Sequence, residues 1–235
     1  MPDREPNHLS PEQVEAELER IEHAVGAGAT DLSGLGFWRL VRELKADHAL
    51  AERFADRAGR IDQEAFARRV RVRLPVGLGN AALGAGTALG AALLGWAVAC
   101  DEPGQAAIGL IGSAAVLSVS VHDLGHWAAG RAAGIRFTSY FLDGPLRIQP
   151  GLKTDYATYL RASPRGRARM HAAGAVATKA APFVSLALWP ATSAPGWAAL
   201  VVLGMGLVQI TTDVLWSTKK SDWKRYARER RAARS

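Results

Sequence analysis

At 235 residues and a formal net charge of +7, the chain has room for one or two compact units. Its single cysteine, Cys100, excludes an internal disulfide and any cysteine-based zinc finger. The excess Lys and Arg lies in clusters beside apolar runs, which reads as membrane flanks, so nucleic acid is not an expected partner.

Residues 1–74 are polar and highly charged. Met1 to Ser10 lacks the apolar centre of a signal peptide. Ser10-Pro11-Glu12-Gln13 is a helix start: Ser10 can cap, Pro11 suits the first turn, and Gln13 can reach back. That helix is expected to run to about Val25 and break at Gly26-Ala27-Gly28. A second is expected from Leu35 to Ala58, with Leu35, Trp38, Val41 and Leu44 at helical spacing and Gly59 as its end. A third is expected from Asp62 to Arg73. His8, His23 and His48 lie among charges and are expected to be exposed. The region reads as a solvated helical domain without chemistry of its own.

Four apolar segments follow, at about 75–99, 105–134, 170–189 and 196–217, each long enough or nearly so to cross a hydrocarbon core of about 30 Å. In the first, Gly86 and Gly90 have the four-residue spacing that lets helices approach closely. Arg68 to Arg73, Arg131 to Arg169 and Lys219 to Arg234 flank one side of the spans. The connections Asp101-Glu102-Pro103 and Ala191 to Pro195 carry no Lys or Arg. Positive residues mark the cytoplasmic side, so both termini are expected inside. Trp96, Trp189 and Trp197 fall at the outer boundary, and Trp127, Trp216 and Trp223 at the inner one. The expected fold is an all-α membrane protein. It has a four-transmembrane-helix core over 75–217, a short β-hairpin after the second span, an N-terminal helical cytosolic region and a basic cytosolic tail over 218–235.

Chemistry concentrates in Val121-His122-Asp123-Leu124-Gly125-His126. Imidazoles at i and i+4 leave one helix face, the geometry by which a helix holds zinc. The usual form is His-Glu-x-x-His with Glu as general base; here Asp123 takes that place. His122 lies about 25 Å below the outer boundary at 1.5 Å per residue. Asp213 lies at a similar depth in the fourth span. An ionisable residue inside a span implies a functional partner. His122, His126 and Asp213 therefore form the expected Zn2+ site, with a fourth position open for water.

His122-Asp123-Leu124-Gly125-His126, followed by Arg131, Gly134 and Ile135, resembles the site-2 protease family of intramembrane zinc metalloproteases. The resemblance spans roughly Leu117 to Trp223. It implies a zinc endopeptidase that cuts a membrane-protein or transmembrane-peptide substrate in or near the lipid bilayer, in a multi-pass protein of a prokaryotic cell membrane. In that family an Asp on a later membrane helix ligates zinc, which Asp213 matches by placement. A β-hairpin after the motif helix pairs with substrate. Here Ile135 to Leu142 is rich in β-branched and aromatic residues, Asp143-Gly144 is a turn signal, and Leu146-Arg147-Ile148 can return. Phe137, Ser139, Phe141 and Gly144 are the expected substrate-binding residues, on an edge that takes an added strand.

Two departures from the family pattern bear on activity. The Asp123 carboxylate is one methylene shorter than Glu, while proton abstraction needs a reach of about 2.6–3.2 Å. The alternative expectation is a catalytically weak or inactive metal-binding relative that acts through partner binding. Lys179 stands near a place where the family often has Asn, and two roles remain open for it: oxyanion stabilisation or snorkelling to the inner surface. His171 reads as an interfacial residue. A di-iron oxidase needs about eight His ligands, and the chain has six His.

Overall fold

The structure, a computed structural model, describes residues 9–143, 149–215 and 221–233. It divides into two compact units, 1–73 with 134–163 and 74–133 with 164–235.

The first unit is built on three helices, α1 (Pro11–Gly26), α2 (Phe37–Ala46) and α3 (His48–Arg69). At the start of α1 the Ser10 hydroxyl accepts from the Gln13 amide while the Ser10 amide donates to Gln13 Oε1, the reciprocal cap expected from sequence. Val14, Leu18, Ile21 and Val25 recur at helical spacing and are fully buried against Phe37, Leu44, Ala55 and Ile61.

Two expectations fail here for identifiable reasons. The long second helix is interrupted at Asp47, whose extended backbone and carboxylate cap α3 by accepting from the Ala49 and Leu50 amides. Gly59 ends nothing, because it lies inside α3. A Cβ there would stand 2.9 Å from the Ala157 amide nitrogen, so the glycine serves a close helix–helix approach and not a turn. His23 and His48 are exposed as expected, and His8 lies outside the described residues.

The segment between the second and third apolar helices completes this unit. A sheet of order β1-β2-β3 comprises Arg73–Leu74, Phe137–Asp143 and Gln149–Thr154. β2 and β3 are antiparallel, pairing Tyr140 with Leu152 and Asp143 with Gln149. Gly144 and Leu146-Arg147-Ile148 lie outside the described residues. A short helix, α6 (Tyr156–Arg161), follows, capped by Asp155.

Side chains tie this segment to α3. Lys153 forms a buried ion pair with Asp62, Phe141 meets Phe66 edge-on at 4.9 Å, and Arg161 makes two 2.8 Å hydrogen bonds to Asp56. β2 is therefore the middle strand, and Phe141 is committed to packing. Ser139 is buried, and its hydroxyl has no hydrogen-bond partner among the described residues. In this order β1 and β3 are the outer strands.

The second unit contains α4 (Val76–Ala99), α5 (Pro103–Ala132), α7 (Pro164–Leu188), α8 (Gly196–Leu215) and α9 (Asp222–Ala232). The first four are long and apolar enough to cross a membrane. Their packing is the reverse of a soluble core: Leu89, Ile108, Val119, Val184, Leu200 and Val208 face outward, while Gly90, Ala97, Ala106, Ser113, Ala114 and Ser120 are buried. Small residues let backbones approach where lipid supplies no hydrophobic drive between helices. The Gly86–Gly90 pair does this, since a Cβ at Gly86 would meet Ser120 at 3.1 Å and one at Gly90 would meet Leu117 at 2.7 Å. α7 begins six residues before the expected third span, because Pro164 at its first position favours helix initiation and carries Arg165, Arg167 and Arg169 into the helix.

Candidate metal centre

α5 presents His122 and His126 on one face, their rings 4.7 Å apart and nearly perpendicular. The carboxylate they meet belongs to Asp222, in the first turn of α9. Asp222 Oδ2 lies 3.1 Å from His126 Nε2 and 3.5 Å from His122 Nε2. One ligand atom from each of the three residues falls within 4.8 Å of the others, close enough to hold a metal ion.

The expected third donor, Asp213, is placed differently. It lies at the end of α8, where its carboxylate pairs with the Lys179 ammonium. Burial, the largest single influence on Asp222, opposes its ionisation. In the metal-free protein a proton on His126 Nε2 shared with the carboxylate, the charge of the two imidazoles and Arg225 together outweigh it and hold the carboxyl below its usual range, so Asp222 is an anionic donor.

α7 supplies none of these three donors yet orients both rings. His126 Nδ1–H donates to the Met170 carbonyl at 2.7 Å. A carbonyl only accepts, so Nδ1 carries a proton, and a metal ion would take the place of any proton on Nε2. Thr178 donates its hydroxyl proton to the Gly174 carbonyl at 3.1 Å, so its oxygen accepts from His122 Nδ1–H at 2.8 Å. Both rings thus turn Nε2 toward Asp222, with the tautomer fixed by the partner behind it as in metal-ligating histidines.

Space is shaped for the same purpose. A Cβ at Gly174 would clash with the His126 ring, and one at Gly125 would stand 2.9 Å from the Ala173 carbonyl oxygen, so α5 and α7 touch backbone to backbone here. Bonds of 2.0–2.1 Å at tetrahedral angles put neighbouring donors about 3.3 Å apart. The two spacings to Asp222 bracket that value, and the three ligand atoms lie close enough together to hold a metal ion.

A cleft of about 220 Å³ adjoins the group, lined by His122, Ala175, Thr178, Lys179, Gln209, Thr212, Asp213 and Asp222. Several waters or a substrate group fit in that volume. Lys179 stands 5.8 Å from the Trp223 ring centroid beside its partner Asp213. Gln209 Nε2 donates to Ser118 Oγ at 3.1 Å, and Gln209 Oε1 is buried without a hydrogen-bond partner among the described residues. Asp123 is 6 % exposed and is not among the lining residues. His171 is buried on α7.

Sequence reading passed over Asp222, Thr178, Met170 and Gly174 as contributors. Asp222 is one of two acids, with Glu229, in a basic stretch after the last span, and the signal for it was the Ser221 cap that starts its helix. No protein-family model, curated protein or solved structure matches this chain.

Proposed function

We propose that the chain is a membrane-embedded zinc endopeptidase of the site-2 protease type, with both termini cytoplasmic, that hydrolyses a peptide bond in or near a membrane-spanning segment. The observation that carries the reading is the convergence of His122 Nε2, His126 Nε2 and Asp222 Oδ2 beside a polar cleft on helices otherwise built for lipid. Those three residues would hold the ion, and zinc bound there supplies Lewis acidity toward water and the scissile carbonyl.

The remaining work belongs to the chain. Asp123 takes a proton from the attacking water as the new C–O bond forms, then returns it to the amine nitrogen as the C–N bond breaks. Lys179 puts positive charge beside the carbonyl oxygen as it becomes anionic, and Asp213 holds the ammonium in place. β3, an outer strand of its sheet, offers main-chain pairing to an extended substrate.

A second reading is a metal-binding relative without catalysis that acts through partner binding. The burial of Asp123 away from the cleft lining favours it.

The test measures metal content and cleavage together. Purified wild type is expected to carry zinc and to cut a single-span substrate in a chelator-sensitive way. Asp222→Asn should lose zinc, Asp213→Asn should keep it, and Asp123→Ala should keep zinc but lose cleavage. Zinc retained by Asp222→Asn overturns the ligand set, and zinc without cleavage in the wild type selects the second reading.

A further inference from the structure

The third donor comes from a helix that does not cross the membrane core. α9 has 11 residues, shorter than the roughly 12–15 at which an isolated helix becomes even marginal in water. Its position, and with it that of Asp222, must come from docking.

The docking has a specific anchor. Arg167 Nε donates to Glu229 Oε2 at 2.6 Å, and the two side chains are 2 % and 7 % exposed. Glu229 is seven residues after Asp222, two turns along one face and about 10.5 Å away at 1.5 Å per residue. On α7, Gly174 is likewise seven residues after Arg167. The two helices are thus pinned at matched intervals: Arg167 to Glu229 at one end, and the His126 ring between Gly174 and Asp222 at the other. Lys224, Arg228, Arg230 and Arg231 lie on the exposed side of α9. The buried acid is therefore the exception on a basic helix.

We propose that α9 is a latch that completes the metal centre, and that Arg167 and Glu229 are positioning residues which set Asp222 against the two imidazoles. The proposal rests on the reading that His122, His126 and Asp222 hold a metal. Glu229→Gln removes the negative charge that faces the buried Arg167 guanidinium. Replacing both partners with apolar groups, in Arg167→Met/Glu229→Leu, removes both buried charges and leaves a packed contact.

The experiment uses full-length protein in detergent, with two readouts: zinc affinity by chelator competition, and amide hydrogen exchange of the metal-free protein. In Glu229→Gln, zinc affinity should fall about 10- to 100-fold, the range for a misoriented ligand. Exchange should rise across 222–232 while α5 and the 170–188 part of α7 stay protected. The double variant should recover protection of α9 and most of the affinity. Unchanged affinity in Glu229→Gln, exchange rising equally in α5 and α7, or a double variant as weak as the single one would each overturn the positioning role. A wild type that takes up no zinc would instead overturn the metal reading, and the exchange data would then judge the latch by itself.

Discussion

Replacing Gly174 with alanine tests the site through a group that binds nothing. The added Cβ would overlap the His126 ring, whereas ordinary contact needs about 3.4 Å or more, so the ring must retreat by on the order of 1 Å. Metal bonds tolerate about 0.2 Å, so His126 Nε2 would leave bonding range unless α5 and α7 part. They cannot part cheaply, because Gly125 already meets the Ala173 carbonyl at the same level. A misplaced ligand costs about 10- to 100-fold in affinity, or about 1.4–2.7 kcal/mol. Zinc titration against a competing chelator reads this directly. Gly84→Ala is the control, since no atom lies within 4 Å of a Cβ there. Gly174→Ala binding within twofold of wild type, or Gly84→Ala losing as much, would refute the claim that close backbone approach makes the ring's seat.

Two further outcomes follow from side-chain geometry. Thr178→Val keeps the shape but removes the acceptor behind His122 Nδ1–H, so zinc affinity should fall about tenfold, less than in His122→Ala; an unchanged titration would break the tautomer assignment. In the first unit, hydrogen bonds from Arg161 hold the Asp56 carboxyl below its ordinary value near 3.8. A carboxyl lowered in the folded state stabilises above its unfolded value and loses that stabilisation as pH falls through the folded one. Wild type should therefore exceed Arg161→Ala by at most about 1 kcal/mol at neutral pH, discounted for the exposure of Asp56. Hydrogen exchange of α3 and α6 amides should show the gap closing in acid and shrinking with salt; a gap that widens in acid would reverse the sign.

Local signals in the sequence were enough for the helix starts at Ser10 and for the four apolar helices. Composition decides solvent preference over some twenty residues at a time, and capping needs only three or four neighbours. The pairing of His122 with His126 was equally legible, because a four-residue spacing on a helix fixes a shared face without help from the rest of the chain. Asp47 and Gly59 were not. An aspartate in a helical run can be surface or cap, and a glycine can be a stop or a contact; α3 and the approach of Ala157 decided between them.

The same division runs through the metal centre. Hydropathy favoured Asp213 because it lies inside the last span, where an unpaired charge is costly. Tertiary packing met that cost with Lys179 and drew the carboxylate for the imidazoles from Asp222, 96 positions beyond His126. Sequence alone therefore determined that two imidazoles share a helix face among membrane-length helices. Only the packing of α7 and α9 decided which acid meets them and which backbone and hydroxyl oxygens turn them. Those contacts join residues far apart in the chain, and no local periodicity encodes such distances.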